Sequence, residues 1–135
     1  MSGTASRFPA LLDAGVPDSV DRLLSRLGHD VIRHRDVLPE GTTDDEVYET
    51  ALELRAVLVV IDGDARRSVR RYDAKLSRDR FKRLSIIHLA CPEPTASGRL
   101  EQAMSLVQLE WAFSQSKPSR RLWIEIGPHH IRTNR

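Results

Sequence analysis

Short apolar runs along the chain alternate with stretches in which apolar residues recur at helical spacing. Four of these runs are too short for core helices and are separated by polar segments. The run Ala56–Ile61 is continuous and rich in β-branched residues, which is typical of a strand buried on both faces. The pattern predicts strands at Phe8–Asp13, His29–His34, Ala56–Ile61 and Leu84–Cys91.

The first predicted helix has a signal at each end. Pro17 suits a helix opening, where its missing N–H costs nothing. Gly28 stands where a glycine commonly ends a helix. Between them one apolar face recurs at i, i+3, i+4 and i+7, formed by Val20, Leu23, Leu24 and Leu27.

The second predicted helix begins at a capping box, Thr43-Asp44-Asp45-Glu46. In this motif the Thr hydroxyl accepts from the amide of the third helical residue, and the Glu reaches back to the Thr amide. The helix is predicted to run to about Leu54. Its inward-facing residues are predicted to be Val47, Tyr48, Ala51 and Leu54.

The remaining elements complete an alternating order. We predict a loop at Asp36–Gly41, a basic helical stretch from about Ala65, and a turn at Pro92 and Pro94 before a long helix, Ser97–Phe113. Leu122–Ile126 and His130–Thr133 flank Gly127-Pro128 as a terminal hairpin. Strands and helices that alternate in this way predict an α/β fold, a mostly parallel sheet with helices on both faces.

Length and composition narrow the class of protein. The 135 residues fit one domain, 1–135, in which we expect residues 1–7 to be flexible. No apolar stretch approaches the roughly 20 residues of a membrane span, and the first residues do not resemble a signal peptide. Cys91 is the only cysteine, so no internal disulfide forms. These features favour a reduced, cytoplasmic location without membrane association.

Charge is distributed unevenly along the chain. Residues 1–65 hold 6 Lys and Arg against 13 Asp and Glu, whereas residues 66–83 hold 9 against 2. Four arginines recur at i, i+4 spacing in the basic segment, so a negative group is expected opposite them. They are Arg66, Arg67, Arg70 and Arg71. Phosphates are one candidate for that group; the acidic half of the chain, in cis or across a homodimer, is the other.

Four carboxylates are candidates for a metal site. Asp13 ends the first predicted strand, Asp62 and Asp64 follow the third, and Asp44 opens a helix. In open α/β sheets, ligands bind beyond the carboxyl ends of the strands. Converging acids repel unless a cation lies among them, and hard oxygen ligands favour Mg²⁺ or Mn²⁺. Such an ion commonly serves the cleavage or transfer of phosphate esters. Each acid also has a structural interpretation, in a turn or in a first helical turn.

An ordered set of motifs resembles the small PIN-like domains, relatives of the PIN ribonucleases found as toxins of toxin–antitoxin pairs. The set is Leu11-Leu12-Asp13, Leu27-Gly28-His29-Asp30-Val31, Arg35-Asp36, Thr43-Asp44-Asp45-Glu46 and Leu58 to Asp64. The end of the chain, Trp123 to Ile126 with Ile131-Arg132, looks like the closing hairpin of those domains.

The resemblance implies a Rossmann-like three-layer α/β/α sandwich and an endoribonuclease that depends on Mg²⁺ or Mn²⁺. It carries the family's acids to Asp13, Asp44, Asp62 and Asp64. The RNA backbone is then expected to be held by Arg35, Arg66, Arg67, Arg70 and Arg71. The analogy with toxins also implies an antitoxin-like protein partner.

Other interpretations remain open. The family has Glu-Asn where this chain has Ala14-Gly15, and Arg where it has Ile61. These differences favour an inactive PIN-like module that binds nucleic acid or protein. Asp62-Gly63-Asp64 also fits a fragment of the haloacid-dehalogenase phosphatases, and Asp62 fits the phosphorylated residue of a response-regulator receiver. Neither alternative fits the position of its motif in the chain.

Overall fold

The chain forms a six-stranded sheet with helices on both faces. The structure, a computed structural model, describes residues 7–62, 83–116 and 121–133. The strand order is β2-β1-β3-β4-β5-β6. The first five strands are parallel, and β6 is antiparallel to β5. The strands are β1 (Pro9–Leu12), β2 (Asp30–Arg33), β3 (Val57–Ile61), β4 (Ile86–Leu89), β5 (Trp123–Ile126) and β6 (Ile131–Thr133). The predicted α/β class and C-terminal hairpin are confirmed.

Two apolar clusters, one on each face of the sheet, make this a three-layer sandwich. Strand residues alternate between the faces. Val57 and Val59 of β3 contact the helices α1 (Asp18–Arg26) and α4 (Glu93–Gln115). Leu58 and Val60 lie in the second cluster, with the helix α3 (Asp44–Glu53). Residues 57–60 are at most 1% exposed, which confirms a strand buried on both faces.

Helix α1 ends in a Schellman motif. Gly28 has φ +91°, its N–H donates to Ser25 O, and the N–H of His29 donates to Leu24 O. The predicted end of this helix is therefore confirmed. Arg7, which we expected in a flexible terminus, donates from Nε to Gly28 O at 2.8 Å. Residues 1–6 lie outside the described residues.

Helix α3 begins at the predicted capping box. The N–H of Glu46 donates to Thr43 Oγ1 at 3.3 Å, and the N–H of Thr43 donates to Glu46 Oε2 at 3.1 Å. Val47, Tyr48 and Ala51 are buried as predicted. The prediction for Leu54 was wrong: it is 38% exposed because it is the C-cap, where the chain leaves the helix.

Two other boundaries differ from prediction. The predicted loop at Asp36–Gly41 is preceded and partly replaced by a one-turn helix, α2 (His34–Val37). Helix α4 begins at Glu93 with Pro92 as N-cap, so Pro94 lies in its first turn and not in a preceding turn. Proline is tolerated there because the first helical N–H groups have no helical acceptor.

The predicted basic helical stretch from about Ala65 lies outside the described residues, as do Asp64 and the four arginines Arg66, Arg67, Arg70 and Arg71. Across residues 7–62, 83–116 and 121–133, no helix has the length and apolar character that a membrane crossing requires.

Candidate functional site

The crossover point of the sheet lies between β1 and β3. From β1 the chain returns to the sheet on one side as β2, and then on the other side as β3. Open α/β sheets bind ligands at the carboxyl edge where the strand order reverses in this way. The N–H of Asp13 donates to Val59 O at 2.9 Å, and the N–H of Asp62 donates to Leu89 O at 3.0 Å. Asp13 and Asp62, two of the four predicted acids, therefore lie at this edge, each directly after its strand.

Strand alternation assigns Asp13 and Asp62 to the same face of the sheet. Leu12 and Ile61, the residues before them, pack with the cluster on the side of α1 and α4. The next residue along each strand belongs to the α3 side. Leu12 pairs with Val59, so Asp62 is two residues further along its strand than Asp13. Strand spacing and rise then separate their Cα atoms by about 8 Å.

A cavity of about 550 Å³ lies beside this edge, between the end of β1, α2 and the start of α3. Its lining includes three of the predicted residues, Asp13, Asp44 and Arg35. His34 and Glu40 also line it, and sequence reasoning did not select them. Asp62 is not among the described lining residues. The fold thus brings two predicted acids and one predicted arginine to one cavity, and leaves Asp62 beside it.

Local structure places the polar residues of the cavity. Asp44 is the first residue of α3, held there by the capping box, where a carboxylate interacts favourably with the helix dipole. Arg35 is on α2, the single helical turn that directly follows β2. The sequence pattern did not predict that turn because four residues are too few for an apolar periodicity to show.

Arg33, which also lines the cavity, forms ion pairs with two aspartates of helix α1. Its Nη1 lies 2.6 Å from Asp18 Oδ1 and its Nη2 lies 2.6 Å from Asp21 Oδ2. The hydrogen bond and charge of Arg33 lower the pKa of the exposed Asp18 carboxyl. Hydrogen bonds from Asp18 and Asp21 in turn raise the pKa of the Arg33 guanidinium. Because Arg33 is paired in this way, Arg35 is the better candidate to meet an anionic ligand.

The acids fit a metal site only in part. Within the described ranges, no three Asp, Glu, His or Cys side chains are grouped so as to hold a metal ion. Asp13 and Asp44 share the cavity, and Asp62 shares the face and edge of the sheet. Asp64, the fourth predicted ligand, lies outside the described residues.

Sequence reasoning missed a buried charged cluster on the α3 side of the sheet. His88 and Glu125 are each 1% exposed and pair across β4 and β5, and Glu125 also pairs with Arg132 across β5 and β6. Glu125 Oε2 lies 2.9 Å from His130 Nε2 and 3.3 Å from Arg132 Nε, and Oε1 lies 3.5 Å from His88 Nδ1. The available signal was one polar residue inside each of two otherwise apolar strands. The contacts of Glu125 with His130 and Arg132 lie within the hairpin and join its two strands.

Comparison with known proteins adds no relative: no family model, curated protein or solved structure matches this chain.

Proposed function

We propose that this protein is a metal-dependent endoribonuclease of the PIN-like type. One observation carries the proposal: Asp13, Asp44 and Arg35, which come from separate segments of the chain, line one cavity at the crossover edge of the sheet. Asp62 lies on the same face about 8 Å away from Asp13. The ordered motifs that resemble PIN-like domains include all four of these positions.

The carboxylates suit Mg²⁺ or Mn²⁺ because they are hard oxygen donors. Asp13, Asp44 and Asp62 would hold the ion, together with Asp64. A bound divalent ion supplies charge neutralisation at the scissile phosphate and lowers the pKa of a water. In the described parts of the chain, the Asp13 carboxylate has no hydrogen-bonded or ion-paired partner, so it is available as a ligand.

Arginines would hold the RNA. Arg35 is exposed at the cavity, where its guanidinium can bind a backbone phosphate in bidentate geometry. Arg66, Arg67, Arg70 and Arg71 follow Asp62 closely in the chain and would extend this contact along the strand. If the protein is the toxin of a pair, its antitoxin-like partner would cover the same cavity with an acidic or an arginine-bearing segment.

The test is RNA cleavage by pure protein with Mn²⁺ or Mg²⁺. Asp13→Asn, Asp44→Asn and Asp62→Asn are expected to lower the rate by at least about 10–100-fold, the loss typical of a damaged metal site. Asp30→Asn is the matched control, because Asp30 is exposed at the opposite end of β2. Equal cleavage rates in the wild type and the three variants would remove the assignment.

A second candidate is a module on the same fold that binds RNA or protein without cleaving it. It is favoured by the absence, among the described acids, of three side chains grouped to hold a metal. Calorimetry with Mn²⁺ separates the two functions. Uptake at millimolar Mn²⁺ that is lost in Asp13→Asn supports the nuclease, and no uptake in the wild type supports the binding module.

A further inference from the structure

A second cavity, of about 660 Å³, lies at the opposite edge of the sheet. It is formed by the ends of α3 and α4 and by the segments that lead into β1 and β4. The charged residues of its described lining are Arg55 and Arg83, and no carboxylate accompanies them. The first cavity, by contrast, is lined by acids as well as bases. The two ends of the sheet therefore offer different chemistry.

Both arginines have their charge available. Each side chain is exposed, and neither forms an ion pair in the parts of the chain that the structure describes. Arginines near helix ends often bind the last carbonyl groups. In α4, however, serines serve that purpose: Ser114 Oγ donates to Trp111 O at 2.6 Å, and Ser116 Oγ donates to Phe113 O at 2.7 Å. The guanidinium groups are not needed to cap that helix.

The backbone of Arg55 is left-handed, with φ +53°. Its N–H donates to Leu52 O, and the N–H of Ala56 donates to Ala51 O. This is the same motif that ends α1, where the left-handed residue is Gly28. A residue with a Cβ is strained in this conformation, and such strain is concentrated at functional sites. A glycine at position 55 would relieve this strain. Arginine at this position instead supplies a guanidinium group to the second cavity.

The other lining residues can recognise an aromatic, polar ligand. The Trp111 ring is half-buried and packs against Phe8, with ring centroids 5.6 Å apart. Ser85 Oγ accepts from the N–H of Leu122 at 3.1 Å, so its own O–H is directed elsewhere. Gln115 adds an exposed side-chain amide. An indole ring and two guanidinium groups that line one cavity are a combination that suits a base and a phosphate together.

We propose that this second cavity binds a nucleotide. Arg55 and Arg83 hold its phosphate, and Trp111 stacks against its base. Two ligands present this base and phosphate: a free mononucleotide, and one nucleotide of an RNA strand that continues around the protein. The inference goes beyond the proposed ribonuclease and does not depend on it, since the two cavities share no described lining residue.

The experiment titrates the full chain with AMP, with inorganic phosphate and with a 5′-phosphorylated RNA pentanucleotide, all in EDTA so that no metal-dependent cleavage occurs. Binding is measured by calorimetry and by contact quenching of tryptophan fluorescence, which reports on Trp111 because the other tryptophan, Trp123, is 5% exposed and out of contact with a bound ligand. Arg55→Gly is the decisive variant: it removes the charge and relieves the strained backbone, so it is expected to fold at least as well as the wild type. Arg83→Gln is the second variant. Arg22→Gln is the control, at an exposed arginine on α1.

We expect AMP or the RNA to bind and quench the fluorescence, with affinity about tenfold lower in Arg55→Gly and in Arg83→Gln and unchanged in Arg22→Gln. Binding of AMP identifies a free nucleotide as the ligand, and binding of the RNA alone identifies a strand. Asp13→Asn is expected to bind as the wild type does, which separates this result from the ribonuclease. The inference is overturned if neither ligand binds, if phosphate binds as tightly as AMP, or if Arg55→Gly and Arg83→Gln retain full affinity.

Discussion

Replacement of Glu125 by Gln tests whether the buried charged cluster stabilises the sheet. The carboxylate is 1% exposed and contacts His130, Arg132 and His88. Glutamine keeps the shape of the side chain and removes its charge. The variant therefore measures the charge-dependent part of these contacts and leaves no cavity.

The expected loss is about 2 kcal/mol in the free energy of unfolding. Hydrogen bonds to charged groups contribute about 1.5–3 kcal/mol, against about 0.5–1.5 for neutral ones. The side chains of His130 and Arg132 are 40% and 49% exposed, so solvent weakens each contact. We assign about 1 kcal/mol to each for that reason. For a chain of this size, a loss of 2 kcal/mol lowers the Tm by about 7 °C.

The assay is urea unfolding of Glu125→Gln beside a control carboxylate, Glu101→Gln. Glu101 lies 2.9 Å from Arg26, and the two side chains are 57% and 63% exposed. Its replacement is expected to change the unfolding free energy by less than about 0.5 kcal/mol. Arg132→Gln is made in the wild type and in Glu125→Gln. The double-mutant cycle gives the coupling energy between Glu125 and Arg132, which is expected to be about 1 kcal/mol. If Glu125→Gln is as stable as Glu101→Gln, the electrostatic argument for this cluster is wrong.

Three further replacements address the cap, the core and acid sensitivity. Thr43→Ala is expected to cost about 1 kcal/mol, because it removes the acceptor for the N–H of Glu46. Leu58→Ala, at a side chain that is 0% exposed, is expected to cost about 2–5 kcal/mol. Burial lowers the pKa of His29, and the charge of Arg7 lowers it further. The unfolded chain therefore takes up a proton more readily, so stability is expected to fall as the pH drops below about 6.5, by at most about 1.4 kcal/mol per pH unit. His29→Gln is expected to remove that part of the pH dependence.

Each of these measurements has its own control. Thr43→Ser keeps the hydroxyl and is expected to match the wild type; equal stability of Thr43→Ala would contradict the capping argument. Leu109→Ala, at a position 57% exposed, is expected to change stability by less than about 0.5 kcal/mol. For His29, unfolding is measured at pH 7.5 and pH 5.5. An identical slope in His29→Gln would show that other groups cause the acid sensitivity.

Local patterns predicted most of the fold. Apolar runs and helical periodicity located the strands and three of the four described helices, because burial imposes those periods directly on the sequence. The capping box at Thr43 and the helix-ending glycine at position 28 could also be predicted from the sequence, because their hydrogen bonds join residues only a few positions apart. Two of the errors, at Leu54 and Pro94, fell at helix ends, where cap geometry decides and periodicity is lost.

Part of the candidate site was predictable for the same reason. Asp13 and Asp62 directly follow apolar runs, so their place at the carboxyl edge of a parallel sheet could be inferred from sequence. Which acids share a cavity could not. The structure places Asp13 with Asp44 and Arg35 and leaves Asp62 outside the described lining, because strand register and the turn of α2 set these separations.

The sequence by itself determined the kinds of elements and their order. It also determined the ends of β1 and β3, which are followed directly by Asp13 and Asp62. Only the tertiary structure decided which distant side chains meet. Glu125 finds its three partners through the pairing of β4, β5 and β6, and the second cavity joins Arg55, Arg83 and Trp111 from three separate segments. The physical reason is the separation along the chain between the residues that interact. Periodicity and caps act over a few residues, whereas a cavity or a buried charge depends on crossovers and register that bring together residues far apart in the chain.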